Sequence, residues 1–334
     1  MAVLSGLDPT AVAQAAALLA TGELVGIPTE TVYGLGARAD DDSAVAKIFA
    51  AKGRPAKHPL IVHVADLAAA ERFCTAMPPI ARRLAQAFWP GPLTLVLERA
   101  PGVATAAAGG LATVGLRCPD HPVALALLQA AAELGVAGVA APSANRFGRV
   151  SPTLAAHVQD EFGPGLCVLD GGACAVGIES TIVDCSRGAA VLLRPGQLGR
   201  AALEQALGQA LQQADALAPR VPGSLASHYA PRARLRLFSA AQLQQLLAGA
   251  DRADAGVAVY SGLAADGWRW WPMPADPVAV AHELFAVLRA FDAQGVREIW
   301  VQQPPAGPAW EAVLDRLSRA ATPADGPQAL GSTV

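Results

Sequence analysis

The sequence predicts an α/β protein with two domains, a first domain of α+β character and a small second domain of Rossmann-like βαβαβα order. Three observations support this prediction. A length of 334 residues fits two domains at about 150 residues each. Short apolar segments of strand length are interspersed with longer segments of helical period. The composition also changes along the chain, because all five cysteines precede residue 186, whereas five of the six tryptophans lie from Trp268 onward.

The first domain is expected over residues 1–208. Its strands are predicted at 24–28, 60–64, 93–97, 113–117, 138–141, 167–169, 180–183 and 190–193, and its helices at 43–51, 79–87, 122–134, 153–162 and 200–218. Asp42 or Ser43 is expected to cap the first of these helices, Gly53 to end it, and Ser151 to cap the helix at 153–162. Because strands and helices do not alternate regularly, we expect a sheet covered by helices rather than a doubly wound fold.

A linker at 209–233 and a second domain at 234–330 are expected to follow. The segment from Pro219 to Gly223 cannot continue a helix. Beyond the linker, strand-like and helix-like segments alternate cleanly, at 234–238, 239–249, 256–260, 276–293, 297–302 and 308–321. That order predicts a small parallel βαβαβα unit.

Composition and charge exclude several classes of protein. The chain is 53% hydrophobic and 16% charged, which is too apolar for a disordered protein. A formal net charge of −3 argues against a general nucleic-acid coat protein. No apolar run of about 18 residues occurs, and the first nine residues hold no Lys or Arg, so we expect a cytoplasmic protein without a membrane span. The five cysteines form no C-x-x-C pair and are expected to be ordinary buried thiols.

One polar cluster lies on a loop between a predicted helix and a predicted strand. It holds Lys52, Arg54, Lys57 and His58, and two prolines stiffen it. Rigid cations on a loop suit an anion such as a triphosphate, because Lys acts as a point charge and Arg as a fork. The alternative is a solvated helix C-terminus whose cations complement the helix dipole. The residues alone leave both interpretations open.

Further polar residues follow other apolar strands, in the segments 28–36, 141–148, 151–153, 177–184 and 193–196, and at Arg117. An Arg or Ser buried beside a strand needs a partner, which either a ligand or a neighbouring carboxylate would supply. The common nucleotide loops and the usual hydrolase motifs are missing from the sequence. Cations, hydroxyls and glycines at strand ends therefore indicate a site that positions phosphates rather than one built around a nucleophile.

At these motifs the sequence resembles the YrdC-like family. The matching segments are Pro28-Thr29-Glu30-Thr31-Val32-Tyr33-Gly34-Leu35, Lys52-x-Arg54 with His58-Pro59-Leu60, Ser143-x-Asn145, Ser151-Pro152-Thr153 and Glu179-Ser180-Thr181. The resemblance covers about residues 10–205. Beyond it, the segment from Pro222 to Pro231 is similar to the linker of the long, two-domain L-threonylcarbamoyladenylate synthases of this family. One departure is His58, where some relatives carry Asn.

The resemblance implies a twisted sheet with a positively charged concave face, and an activity. L-threonine, bicarbonate and ATP would give threonylcarbamoyl-adenylate and pyrophosphate, and other proteins would pass the threonylcarbamoyl group to the adenosine beside the anticodon of certain tRNAs. Mg²⁺ is expected to enter with ATP, and no organic cofactor is expected. The resemblance leaves direct contact with tRNA open.

The resemblance also implies roles for individual residues. Those implied to surround threonine are Thr31, His63, Arg117, Ala141 and Ser180, with Arg117 facing the carboxylate. Those implied to hold ATP are Lys52, Arg54, His58, Thr113, Ser143, Asn145, Ser151 and Arg194, and the catalytic set among them is Lys52, Arg54, Ser143 and Asn145. Tyr229, and with less support His228, would close over the nucleotide. No metal ligand is assigned.

Two other functions remain open at this point. A basic concave face could hold tRNA or double-stranded RNA, although the net charge and the lack of an aromatic stacking platform weaken that interpretation. The other is a related carbamoyl-handling enzyme, or one that breaks down the adenylate, and the linker and the second domain argue against it. The second domain could also serve interaction or regulation.

Overall fold

The structure is a computed structural model that describes residues 3–223, 227–249 and 256–321. Its strands are β1 (Val3–Ser5), β2 (Val25–Ile27), β3 (Gly34–Arg38), β4 (Ile61–His63), β5 (Leu93–Glu98), β6 (Thr113–Arg117), β7 (Val139–Ala140), β8 (Cys167–Asp170), β9 (Thr181–Asp184), β10 (Val191–Arg194), β11 (Gln212–Gln213), β12 (Arg234–Phe238), β13 (Val257–Ser261), β14 (Arg269–Pro272) and β15 (Glu298–Gln302).

Its helices are α1 (Pro9–Ala20), α2 (Asp42–Lys52), α3 (Leu67–Glu71), α4 (Pro79–Phe88), α5 (Pro122–Glu133), α6 (Ala155–Phe162), α7 (Arg200–Leu207), α8 (Ala240–Gly249), α9 (Pro277–Ala293) and α10 (Glu311–Ala320), the last preceded by a 3₁₀ turn at Pro308–Trp310. Parts of the predicted linker (224–226) and of the predicted second domain (250–255 and 322–330) lie outside the described residues.

Within the described residues, the larger sheet has eleven strands in the order β1-β8-β2-β3-β7-β4-β6-β5-β9-β10-β11. The sheet is mixed, with β4 parallel to β6, β6 antiparallel to β5, and β5 parallel to β9. The register places His63 of β4 directly beside Arg117 of β6. Helices and strands are interspersed in the irregular order that the sequence predicts, so the expectation of a sheet covered by helices is confirmed.

The second sheet is parallel, as predicted, and its described strands follow the order β12-β15-β13-β14. The predicted order of strands and helices is confirmed in this region of the chain, with β14 as an addition. Helix α9 supplies the largest apolar face here, including Leu284, Phe285 and Leu288, each less than 1% exposed. That apolar cluster also takes in Val150, Ile178 and Tyr229, so the two sheets share a packed interface.

Several local predictions are wrong, for identifiable reasons. Helix α2 is capped by Asp41, whose carboxylate accepts from the amides of Ser43 and Ala44, rather than by Asp42 or Ser43. The helix predicted at 200–218 ends at Leu207, because Gly208 takes a left-handed conformation with φ +70°. The stop predicted at Gly53 is confirmed.

Elements that the sequence analysis missed are β1, α1, β3, α3, β11 and β14. The strand that matters most for the site is β3, which pairs with β2 and β7. The glycines of β3 are typical of turns, which is why the strand was missed. Gly36 is needed in this strand because a Cβ at this position would lie only 3.0 Å from Val139. The hairpin that β2 and β3 form carries residues 28–33 over the sheet.

All five cysteines are buried free thiols, as predicted. None of the helices in the described part of the chain combines the length and the apolar character needed to cross a membrane.

Candidate active site

A cavity forms where the ends of several strands meet the loop of the β2–β3 hairpin and the linker. The strands concerned are β4, β6, β9 and β10, and the loop after β7 closes one side. The cavity is lined by Thr29, Thr31, Val32, Gly34, Arg54, Ile61, His63, Arg117, Ala141, Pro142, Ser143, Glu179, Ser180, Arg194, Pro222, Gly223, His228 and Tyr229. Residues more than 190 positions apart in the chain therefore converge on one hollow.

The five residues that the sequence analysis assigned to threonine all line this cavity: Thr31, His63, Arg117, Ala141 and Ser180. They come from five separate segments, and each is at most 5% exposed. A buried corner with one cation, two hydroxyls and an apolar wall has the polarity that suits an amino acid.

Arg117 already has protein partners in the described chain. Its Nη2 lies 2.6 Å from Oε1 of Glu30, and its Nη1 donates to the Thr31 hydroxyl at 2.8 Å. The sequence left open whether a ligand or a neighbouring carboxylate would pair with a buried arginine. For Arg117, the structure provides the carboxylate of Glu30 as a partner. A guanidinium fixed in this way is oriented before any ligand arrives.

His63 lies beside Arg117 and is 4% exposed. Burial, and then the positive charge of Arg117, lower the pKa of His63 to about 3. The ring is therefore neutral at physiological pH. It adds a polar but uncharged edge to the cavity and leaves Arg117 as the cation of this corner.

Arg194 joins the corner assigned to threonine to the linker. Its Nε and Nη2 donate to the carbonyl oxygen of Ser180 at 3.1 and 2.8 Å, and its Nη1 donates to the carbonyl oxygen of Pro222 at 3.0 Å. The Ser180 hydroxyl also lies 2.7 Å from that of Thr94. The segment before β9 and the linker are thus both held by one buried guanidinium, whose pKa is lowered by burial.

Arg54 connects the main cavity to a second cavity beside it. The second cavity is lined by His58, Phe147 and Arg220, and it shares Arg54 and His228 with the first. The Arg54 guanidinium carbon lies 5.6 Å from the centre of the Phe147 ring, and its Nη2 donates to the Pro59 carbonyl at 2.9 Å. Burial lowers the pKa of Arg54 to about 10, which still leaves it charged at neutral pH. Arg54 is only 8% exposed. The alternative of a solvated helix C-terminus therefore does not apply to this residue.

Thr113 lies further along the sheet, in a third cavity under Val221 and Pro222. The apolar cluster beneath Val221 includes Ile61, Val96 and Ile182, which belong to β4, β5 and β9, with β6 lying between β4 and β5 in the sheet. The linker thus lies over this part of the sheet, and its Pro222 contributes to the walls of all three cavities.

Three residues assigned to ATP, which are Lys52, Asn145 and Ser151, make contacts within the protein instead of lining the main cavity. The Lys52 ammonium donates to the carbonyl oxygens of Ser143 and Asn145, and burial lowers its pKa well below the ordinary value. The Asn145 amide nitrogen donates to the carbonyl oxygens of Arg146 and Arg149. Lys52 therefore supports the loop that places Ser143 in the cavity wall.

Ser151 was expected to cap the helix at 153–162, and that expectation is wrong. Helix α6 begins after Leu154 without a side-chain cap, and the Ser151 hydroxyl donates to the carboxylate of Glu179. The local sequence favours a cap, but a buried carboxylate 28 residues away competes for the same hydroxyl.

Tyr229 of the linker is 1% exposed and has a positive φ of 61°. Its hydroxyl has no hydrogen-bond partner within the described residues, and a Cβ on Gly223 would lie 2.3 Å from it. The His228 ring packs edge-on against Tyr229, with centroids 4.1 Å apart. The two linker residues expected to close over the nucleotide are thus both in the wall of the cavity.

Sequence reasoning missed three charged residues of the site. Glu30 and Glu179 stood within the motifs but received no role. Arg316 of α10 ion-pairs with Glu179 at 2.8 Å and is fully buried. A signal for Arg316 exists, because it lies in the helical register of Val313, Leu317 and Ala320 on the apolar face of α10.

The acidic side chains of the cavity do not form a protein metal site. Glu30 pairs with Arg117 and Glu179 with Arg316. Among the described residues, no group of three His, Cys, Asp or Glu side chains is arranged to hold a metal ion. A metal that enters this cavity would have to bring most of its ligands with it.

Two family models match the chain. The model of the Sua5, YciO and YrdC proteins, described as "Telomere recombination", matches residues 17–196. A second model, described as "Threonylcarbamoyl-AMP synthase, C-terminal domain", matches residues 198–322.

Curated relatives and solved structures agree with these models. A threonylcarbamoyl-AMP synthase of Bacillus subtilis is 39% identical over 95% of this chain and 94% of its own. One of Pyrococcus abyssi is 38% identical over 92% of each chain. Among solved structures, a doubly substituted P. abyssi Sua5 has a TM-score of 0.88 at 35% identity, covering 96% of both chains. The same protein complexed with L-threonine has a TM-score of 0.85 at 36% identity, covering 94% of this chain and 95% of its own.

Proposed function

Because the chain belongs to the Sua5/YciO/YrdC family and carries the C-terminal domain of threonylcarbamoyl-AMP synthases, we propose that it makes L-threonylcarbamoyl-adenylate from L-threonine, bicarbonate and ATP. Pyrophosphate is the second product, and the adenylate serves the modification of tRNA. It is an enzyme of the nucleotidyltransferase type. The observation that carries the proposal most strongly is the single cavity that joins Arg117 and its neighbours to Arg54, Ser143 and Arg194.

L-threonine is proposed to occupy the corner formed by Thr31, His63, Arg117, Ala141 and Ser180. Arg117 is the natural partner for the α-carboxylate, because it is buried, charged and oriented by Thr31. Support comes from the P. abyssi relative, whose structure was solved as a complex with L-threonine. With Arg117 on the carboxylate, the amino group is left to react.

ATP is proposed to lie on the other side of the cavity and to extend under the linker. Arg54 and Arg194 are the cations that line this side, and His58 and Thr113 lie in the two adjoining cavities. Lys52 and Asn145 would act through the Ser143 loop that they support, and Ser151 through Glu179. Mg²⁺ would enter as part of the substrate, held by phosphate oxygens and water.

The chemistry requires positioning rather than a protein nucleophile. Bicarbonate takes up a proton and loses water to give carbon dioxide, and the neutral threonine amine then adds to its carbon and releases a proton, which forms a carbamate. A carbamate oxygen then attacks the α-phosphorus of ATP, and the bond to the β-phosphate oxygen breaks, releasing pyrophosphate. The buried arginines would stabilise the charge that develops on the phosphate oxygens. A water-excluding cover matters because the product is a hydrolysable mixed anhydride.

The product is proposed to pass to a separate threonylcarbamoyl-transferring enzyme that acts on tRNA. The cytoplasmic location expected from the sequence stays a prediction.

The test is pyrophosphate release from ATP, measured with and without L-threonine and bicarbonate, together with chromatographic detection of the adenylate. The proposal requires release that depends on both co-substrates and an adenylate formed in equal amount. Release without threonine, or tight salt-sensitive RNA binding with no pyrophosphate at all, would count against it; the second result would favour the RNA-binding alternative.

A further inference from the structure

Helix α10 of the second domain places an arginine inside the protein, against the site. Arg316 is fully buried. Its Nε donates to Oε2 of Glu179 at 2.8 Å, its Nη2 donates to the Glu179 carbonyl at 3.3 Å, and its Nη1 donates to Asp315 at 2.6 Å. Moving a guanidinium from water into the protein interior costs free energy. The buried position of Arg316, with partners in two domains, is therefore not explained by packing alone.

The same guanidinium lies against the linker. Its carbon is 5.2 Å from the centre of the Tyr229 ring, and Phe285 of α9 stacks on that ring with centroids 5.5 Å apart. The backbone amide of His228 donates to the carbonyl oxygen of Arg319, one turn along α10 from Arg316. His228 and Tyr229, two of the linker residues in the cavity wall, are therefore both held by the second domain.

Tyr229 needs such support because of its backbone. A positive φ is unfavourable for a bulky residue and persists only where the surroundings enforce it. Tyr229 gains no hydrogen bond through its hydroxyl within the described chain. The cation–π contact with Arg316 and the stacking with Phe285, together with the edge-on contact with His228, fix the ring in the cavity wall.

Glu179 needs Arg316 for a different reason. Its carboxylate is 7% exposed and lines the same cavity as Arg54 and Arg194. Without the ion pair, a negative charge in this wall would oppose a triphosphate, and little solvent would be present to screen it. The Ser151 hydroxyl contributes a hydrogen bond to the carboxylate but no charge.

We propose that Arg316 is a positioning residue of the adenylate-forming site, through which the second domain neutralises Glu179 and fixes Tyr229 against the nucleotide. This inference rests on the proposed function and adds a role for the second domain. Arg316 itself does not line the cavity, so it acts through these two residues rather than on the substrate.

The test compares Arg316→Gln, Glu179→Gln and the double variant. Arg316→Gln leaves Glu179 unpaired and is expected to raise the KM for ATP about tenfold or more, while the KM for threonine changes by less than about threefold. The double variant removes the unpaired charge and is expected to recover the part of the ATP affinity that this charge costs, while the contact with Tyr229 stays lost. Arg236→Gln removes an exposed arginine from β12 of the same domain and is the matched control, with unchanged kinetics expected.

Hydrogen exchange of the segment 227–233 gives a second readout that does not depend on catalysis. Arg316→Gln should speed exchange there and leave β13 and β15 unchanged, which also shows that the second domain stays folded. If exchange and the KM for ATP are both unaffected, or if the double variant is as impaired as Arg316→Gln, the inference is wrong. If the wild-type protein releases no pyrophosphate, the proposed function is wrong instead. In that case hydrogen exchange alone tests whether Arg316 holds the linker segment in place.

Discussion

Arg194 donates two hydrogen bonds to the carbonyl oxygen of Ser180, from Nε at 3.1 Å and from Nη2 at 2.8 Å, and Nη2 also donates to the Ser180 hydroxyl at 3.1 Å. Arg194 belongs to the set proposed for ATP, and Ser180 to the set proposed for threonine. The pair therefore joins the two halves of the site. Its geometry depends on the planar fork of arginine, which lysine lacks.

Arg194→Lys should weaken both halves of the site at once. An ammonium cannot replace the paired bonds to Ser180 while also reaching the Pro222 carbonyl. Because a hydrogen bond to a charged group contributes about 1.5–3 kcal/mol, we expect kcat/KM to fall by about ten- to hundredfold for ATP and for threonine alike. Steady-state kinetics with each substrate varied in turn measures this. The surface variant Arg200→Lys is the control, and a loss confined to one substrate would contradict the joint role.

Arg117→Gln should act on threonine alone. The change removes the cation proposed to bind the α-carboxylate, so the KM for threonine should rise about tenfold or more while that for ATP stays within about twofold. It also leaves Glu30 buried without its partner, which costs about 3–5 kcal/mol of the free energy of unfolding.

The double variant Arg117→Gln/Glu30→Gln separates these two effects. It should recover much of the lost stability in denaturant unfolding, because the unpaired charge is gone, yet threonine should still bind weakly. If threonine affinity returns together with stability, Arg117 holds the fold and does not bind the substrate.

Tyr229→Ala should uncouple ATP consumption from product formation. The ring covers the cavity, and its loss admits water to a hydrolysable adenylate. We expect the ratio of pyrophosphate released to adenylate recovered to rise severalfold. Tyr229→Phe keeps the ring and should behave as the wild type, because the hydroxyl has no partner within the described residues. Unchanged turnover and yield in the alanine variant would rule out the covering role.

Two buried histidines should make the protein sensitive to mild acid. Burial is the main cause that lowers the pKa of both His63 and His228 to about 3, against 6.5 for an ordinary histidine. At pH values between about 3 and 6.5, these two histidines are protonated in the unfolded chain but stay neutral in the folded protein. Their contribution to stability is therefore complete above pH 6.5 and is lost as the pH falls toward 3, by about 1 kcal/mol per pH unit for each ring.

His63→Gln should reduce that dependence. Denaturant unfolding at several pH values between 6.5 and 4 should give a shallower loss of stability than the wild type, by about 1 kcal/mol per pH unit. The exposed variant Lys57→Gln serves as the control and should keep the wild-type slope. Equal slopes in all three proteins would mean that His63 is protonated in the folded state.

Much of this architecture was accessible from the sequence. The strands and helices of the second domain were predicted in the right order apart from β14, because its apolar segments are long and separated by clear breaks. In the first domain, polar residues at the ends of apolar strands marked the site, and the five residues that the family resemblance assigned to threonine line one cavity. Thr31, His63 and Arg117 illustrate this, because 86 residues separate the first from the last, and yet all three line one cavity.

What the sequence could not reveal depends on partners distant in the chain. Ser151 has the local pattern of a helix cap, but Glu179 is buried beside it and takes its hydroxyl. Lys52 looks like a free cation on a loop until the carbonyls of Ser143 and Asn145 fold against it. Arg316 breaks the apolar register of α10, and only the packing of the second domain against the linker explains why.

The most direct test of the account is an experimental structure of the protein with L-threonine and a non-hydrolysable ATP analogue bound together. The account predicts both ligands in one cavity, with the threonine carboxylate on Arg117 and the phosphates beside Arg54, Ser143 and Arg194. A nucleotide bound elsewhere, for instance on the far face of the second domain, would contradict it.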